Sequence, residues 1–164
     1  MSAKQIVVLG SGFAGLWSAV GAARKLDELR YGPEMAEVIV VNRHGYHGIR
    51  VRNYEADLSE VRVPLDEVLG PVGIRRVEGE VAGIDLRKQA VTVITAGGQR
   101  ILSYDRLVFA LGSQVLHPNV PGLAEHGFDV DTYEARPGSI AICSRSSAGR
   151  SLQGSGRSSS WAPA

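Results

Sequence analysis

The sequence is short of several things, and each shortage removes a class of protein. It has one cysteine, Cys143, among 164 residues. An internal disulfide is therefore impossible, and no paired-cysteine metal site exists. Four histidines, His44, His47, His117 and His126, fall at no metal-ligand spacing and read as polar loop positions. No apolar run approaches the roughly 18 residues that a membrane-spanning helix needs. The first residues lack the basic-then-apolar layout of a signal peptide, so the expected location is cytoplasmic. Net charge is only +1, which gives no reason to propose a nucleic acid or an acidic partner. The length suits one ordinary domain with a sizeable core.

What is present is concentrated near the start. Gln5-Ile6-Val7-Val8-Leu9 is an apolar run, Gly10-Ser11-Gly12-Phe13-Ala14-Gly15 follows, and a helical run comes next. Leu16, Ala19, Val20, Ala23 and Leu26 fall on one side of that run, which extends from Leu16 to Arg30, with Gly32-Pro33 as the expected stop. Glu37-Val38-Ile39-Val40-Val41-Asn42 is a second strand, and its continuous β-branched core suits a parallel strand covered on both faces. Strand, glycine turn, helix and strand make a βαβ unit with a dinucleotide fingerprint. Gly10 serves the tight turn, Gly12 leaves room for a pyrophosphate, and Gly15 lets the helix pack closely. The helix N-terminus aims N–H groups and its positive dipole end at that pyrophosphate. Trp17, in the first turns of the helix, reads as a core or interface aromatic.

The end of the second strand carries Asn42 followed by Arg43, where a dinucleotide fold usually has an acidic residue on a ribose hydroxyl. An amide can accept the same bond without charge. Read strictly for a nicotinamide dinucleotide, a neutral residue followed by arginine could suit a 2′-phosphate. His44 to Leu69 is loop-rich and closes with a short helix entered at Pro64, broken at Gly70-Pro71. Strand-like runs then cover Ile74–Asp85, Ala90–Thr95 and Gln99–Leu102, with Gly97-Gly98 as a turn. They form an antiparallel meander set into a parallel-sheet domain. Tyr104–Ser113 reads as a further buried strand ending in small residues, followed by a turn at Val120–Leu123. The expected fold class is α/β, a Rossmann-like domain with a parallel sheet and an inserted antiparallel β-meander.

Together, Gly10-x-Gly12-x-x-Gly15, the strand end at Asn42, Gly79-Glu80-Val81, Tyr104-Asp105-Arg106-Leu107-Val108-Phe109-Ala110-Leu111-Gly112-Ser113 and Val120-Pro121-Gly122-Leu123 carry a resemblance. From about Lys4 to about Glu134 the chain resembles the N-terminal FAD-binding part of the two-dinucleotide-domain flavoproteins. It looks most like the type II NADH dehydrogenases, which pass electrons from NAD(P)H through FAD to a quinone. The resemblance implies that Gly10, Ser11, Gly12, Phe13, Ala14 and Gly15 hold the FAD pyrophosphate. It implies that Asn42 and Arg43 face the adenosine ribose, that Val81 sets backbone groups by the adenine, and that Ala110, Leu111 and Gly112 border the flavin side. Two positions depart from the family pattern: Asn42 replaces an acidic residue, and Leu111 replaces a threonine. Disulfide reductases of the wider superfamily need two cysteines, which Cys143 alone does not supply. No catalytic side chain is expected, because the flavin carries the chemistry.

Composition shifts after residue 136. Pro137 to Ala164 has no Asp, Glu or Lys and is rich in Ser, Gly and Arg. All 17 acidic residues precede it and 3 of the 18 basic residues lie in it, so the tail is +3 and the body −2. The expectation is a partial FAD-binding domain over residues 1–136 and a disordered tail over 137–164. The resembled family would continue into a second glycine fingerprint for NAD(P)H, so a truncated chain with a frame-shifted tail is expected; a natural basic tail is the alternative. Self-association through exposed sheet surface is also expected. Three functions stay open: the FAD-binding part of an NAD(P)H dehydrogenase-like oxidoreductase, a non-catalytic remnant that binds a nucleotide weakly, and a small NAD(P)-binding oxidoreductase.

Overall fold

A computed structural model describes residues 3–53, 55, 57–113, 116 and 118–127. Cys143, the segment from Phe128 and the tail over 137–164 lie outside the described residues. The chain divides into two compact units, Met1–Pro118 and Asn119–Ala164. In the second, the described part is a turn at Val120–Gly122 leading to α3, Leu123–His126, opened by a Leu123 N–H to Val120 carbonyl bond of 3.0 Å.

The first unit is built on a four-stranded parallel sheet. Its strands are β1 (Lys4–Leu9), β2 (Ala36–Asn42), β5 (Arg75–Glu78) and β9 (Arg106–Phe109), in the order β5-β2-β1-β9. β1 pairs with β2 from Lys4↔Ala36 to Leu9↔Val41, and with β9 from Ile6↔Arg106 to Leu9↔Phe109. The alternation of strand side chains then creates two apolar layers. Val8, Val38 and Val40 point to one face and pack with Ala19 of α1 (Phe13–Glu28) and with Leu65 and Leu69 of α2 (Leu65–Leu69). Val7, Leu9, Ile39, Val41 and Val77 point to the other, against Val91, Val93 and Leu102. Those last three belong to an antiparallel meander of β6 (Glu80–Asp85), β7 (Ala90–Thr95) and β8 (Gly98–Ser103). Helices, parallel sheet and meander are thus three layers, and the expected combination of a parallel sheet with an inserted antiparallel meander is present.

Four expectations need correction. The run from Ile74 to Asp85 is not one meander strand. It divides at Gly79, so residues 75–78 extend the parallel sheet beside β2 and only residues from Glu80 enter the meander. Strand pairing decides this, since both halves have similar composition. The run from Tyr104 is not a buried strand: among the described residues β9 stands at the edge of the sheet, and Phe109 is 67% exposed. Trp17, expected in the core or at an interface, is not in the core: it is 73% exposed, because the stripe of Leu16, Ala19, Val20, Ala23 and Leu26 faces the sheet and position 17 falls outside it. Gly32-Pro33 is not the stop of α1. The helix ends at Glu28 with Leu29 as its C-cap, and Arg30 takes the left-handed conformation at φ 56°. The Arg30 N–H reaches the Asp27 carbonyl at 2.8 Å and the Tyr31 N–H reaches Leu26 at 2.9 Å, the paired bonds of a Schellman ending.

The loop-rich stretch after β2 holds a small antiparallel pair, β3 (Tyr46–Gly48) and β4 (Arg62–Pro64). The Leu65 N–H bonds to the Gly45 carbonyl at 2.9 Å, which joins α2 to the start of β3. Arg76 grips Asp66 through two bonds of 2.7 and 2.9 Å. That guanidinium holds the Asp66 carboxyl below the usual carboxylate range, and the Arg76 pKa is raised in return. Among the described residues no helix is long and apolar enough to cross a membrane.

Candidate functional site

The site forms where β1 and β2 end. From β1 the chain passes through α1 to β2 on one side, and only after the meander does it return to the other side of β1 as β9. The carboxyl ends of such strands frame a crevice at the switch point, which is where open α/β sheets take their ligands. Here the crevice is a cavity of about 400 Å³, within the usual range for small-molecule sites. Gly10, Asn42, Arg43, Val81, Leu111 and Gly112 line it, six of the positions predicted from sequence. Ser11, Gly12, Phe13, Ala14, Gly15 and Ala110 adjoin it in sequence but are not part of its wall.

The glycine turn has a steric basis. Gly10 sits at φ +94°, and a Cβ there would meet the Ala110 backbone. A Cβ on Gly15 would collide with the Gly10 carbonyl, so only glycine lets α1 start this close to β1. Around Gly12 a Cβ would meet nothing within 4 Å, so open space lies beside the turn. Gly12 is the N-cap of α1, and no side chain caps it. The first N–H groups of a helix lack intrahelical partners; Gly12, Phe13 and Ala14 are all exposed here. An uncapped, exposed helix start beside a glycine turn can receive an anion.

Residue 11 is held from two sides. Its N–H donates to Asn42 Oδ1 at 3.1 Å, and its carbonyl lies 2.6 Å from His47 Nδ1. The Asn42 amide nitrogen donates to the His44 carbonyl at 2.8 Å. Asn42 therefore lines the cavity while its side chain braces the turn and the loop after β2. Arg43 reaches across to Glu80 at 2.8 Å, and both side chains stay more than half exposed. Arg50 donates to the Ser113 carbonyl at 3.1 Å, tying the loop to the wall.

Sequence reasoning missed Val41, His44, Gly79, Glu80 and Ser113 as lining residues. Position next to Asn42, Val81 and Gly112 was the available signal. It also missed His47, which is a β3 residue only 5% exposed rather than a polar loop position. Nothing local marks it, since its burial depends on Phe13, whose ring meets it edge-on at 5.0 Å. Among the described residues no cluster of three or more His, Cys, Asp or Glu is placed to hold a metal ion.

Fold and crevice define a Rossmann-like nucleotide-binding domain. Residues 4–138 match the pyridine nucleotide-disulphide oxidoreductase family, and the chain belongs to it. It is 56% identical over 130 residues to an NADH dehydrogenase-like protein of Mycobacterium tuberculosis, covering 79% of this chain and 32% of that one. It is 29% identical over 133 residues to the type II NADH:quinone oxidoreductase of Staphylococcus aureus, covering 78% of this chain and 31% of the relative. The chain thus spans about a third of the length of these relatives. The sulfide:quinone oxidoreductase of Aquifex aeolicus superposes with a TM-score of 0.75 at 20% identity, over 89% of this chain and 33% of that one. That likeness concerns the fold.

Proposed function

We propose that the chain is the FAD-binding part of an NAD(P)H dehydrogenase-like oxidoreductase. The carrying observation is the uncapped, glycine-lined start of α1 beside the cavity at the carboxyl ends of β1 and β2. The residues suit an extended dinucleotide. Gly12, Phe13 and Ala14 offer backbone N–H groups to a pyrophosphate. The cavity wall at Asn42, Arg43 and Val81 takes the adenosine half, and Leu111 and Gly112 of the same wall border the flavin side. When bound, FAD supplies hydride acceptance from NAD(P)H and onward electron transfer to a quinone-type acceptor.

The chain's own residues bind and orient in this reading, and none is assigned proton transfer. The meander supports FAD over a simple nicotinamide domain, because Val81 of β6 supplies one wall of the cavity. The matched stretch is about a third of its relatives, so the NAD(P)H and acceptor sites are not assigned to residues here.

The test is the visible spectrum of the purified chain, with heat-released supernatant compared against free FAD. A flavin spectrum with close to one FAD per chain is expected. A colourless protein that also fails to take up added FAD would overturn the proposal.

A further inference from the structure

A dinucleotide cradle built from Gly12, Phe13 and Ala14 does not use the buried His47 side chain that touches the same turn. His47 is 5% exposed, and its Nδ1 lies 2.6 Å from the Ser11 carbonyl oxygen. A carbonyl oxygen only accepts, so Nδ1 carries the proton and donates. The ring has little freedom to leave. β3 pairs with β4 at His47↔Val63, which fixes its backbone, and the Phe13 ring meets it edge-on at 79°.

The peptide joining Ser11 to Gly12 is trans, as are all the described peptides. In a planar trans peptide the C=O and the following N–H point in opposite directions. Holding the Ser11 oxygen therefore fixes the direction of the Gly12 N–H, away from His47. The Ser11 N–H is meanwhile held by Asn42 Oδ1 at 3.1 Å. With both backbone polar groups of residue 11 anchored, the Gly12 amide is set before any ligand arrives. Gly12 is exposed, with open space beside it.

We infer that His47 is a positioning residue for pyrophosphate recognition, a role that rests on the proposed dinucleotide site. Its Nδ1–H, by holding the Ser11 carbonyl, presents the Gly12 N–H to the phosphate of a bound dinucleotide. Without the donor the peptide can rotate, and each binding event must order it again. His47 touches no ligand itself. Asparagine can replace it in part, because its Nδ2 stands near the place of Nδ1. Leucine keeps the bulk and removes the donor.

The experiment compares ADP, FAD and adenosine binding by the full chain and by His47→Leu and His47→Asn. A lost charge-assisted bond to phosphate predicts on the order of tenfold weaker ADP and FAD binding by His47→Leu. Adenosine, which has no phosphate, should bind it as it binds the wild type, and His47→Asn should recover most of the loss. Unchanged ADP binding by His47→Leu overturns the inference. So does an equal loss for adenosine and ADP, which marks a purely structural role. A wild-type chain that binds none of the three probes overturns the cradle reading itself, and the role of His47 with it. Should His47→Leu not fold, the 15N spectrum of the His47 ring in the intact chain decides. Protonated Nδ1 with bare Nε2 in the neutral ring supports the inference, and the opposite tautomer overturns it.

Discussion

Asn42 Oδ1 accepts the Ser11 N–H at 3.1 Å while Asn42 Nδ2 donates to the His44 carbonyl at 2.8 Å. One side chain thus serves as acceptor to the glycine turn and donor to the loop after β2. An ionised carboxylate, which only accepts, cannot do both. Asn42→Asp, which restores the acidic residue usual at this strand end, keeps the acceptor and loses the donor. It sets a carboxylate oxygen against the His44 carbonyl. Asn42→Asp is expected to lose about 0.5–1.5 kcal/mol of stability through the lost bond at that exposed position. Urea unfolding reads it as a lower midpoint at unchanged slope; an equal or higher midpoint would refute it.

The ending of α1 offers a stabilising change. Arg30 adopts φ 56°, a conformation in which a Cβ is unfavourable and glycine is usual. Its backbone bonds to Asp27 and Tyr31's to Leu26 do not need the side chain. Arg30→Gly should stabilise the chain by about 1 kcal/mol, less the entropy that glycine adds to the unfolded state. A thermal melt should move upward, and a downward shift would show that the arginine side chain contributes more than its backbone strain costs.

The parts of this molecule legible in sequence are those whose signal is local. The glycine fingerprint, the Val38–Val41 run and the β-branched run Ala90–Thr95 each carry their meaning within a few residues, and all three became the elements they suggest. The parts that were not legible depend on distant partners. Glu78 and Glu80 flank Gly79 in one extended run, yet pairing sends one side to β2 and the other to β7. His47 looks like a loop histidine until β3 folds it against the turn 36 residues earlier. Asn42 reads as a ribose contact, and the geometry adds a bracing duty that no motif records.

Asp105 joins β1 and the start of β9 at their amino ends. It accepts from Lys4 Nζ and from the Gln5 N–H, both at 2.8 Å. The Lys4 ammonium, and then the Gln5 N–H, hold its carboxyl below its ordinary value. The folded state therefore binds this proton less readily than the unfolded state. Its stabilising effect is present above the ordinary carboxylate pKa of about 3.9 and is lost as pH falls through the lower folded value. Asp105→Asn, which mimics the protonated form, should be less stable than wild type at pH 7. The gap should close in acid. A gap that stays constant from pH 7 to pH 2 would show that the charge is not its cause.

The Arg43–Glu80 pair bears on which adenosine dinucleotide the cavity accepts. Arg43 stands after the strand end, where an arginine can receive a 2′-phosphate. In this protein its guanidinium is engaged by Glu80 at 2.8 Å, and the carboxylate lines the same cavity. A 2′-phosphate entering here would meet that negative charge and compete for the arginine. Under the proposed function the wild type should prefer ADP to 2′-phospho-ADP. Glu80→Gln releases Arg43 and removes the repulsion. Both side chains are more than half exposed, so the energy is that of a surface ion pair, which limits the gain for the 2′-phosphorylated ligand to about two- to fivefold. Competition titrations at low and high salt read the effect. The gain should shrink with salt, because a charge interaction at an exposed site is screened. A gain that salt leaves untouched would assign the preference to the shape of the cavity instead.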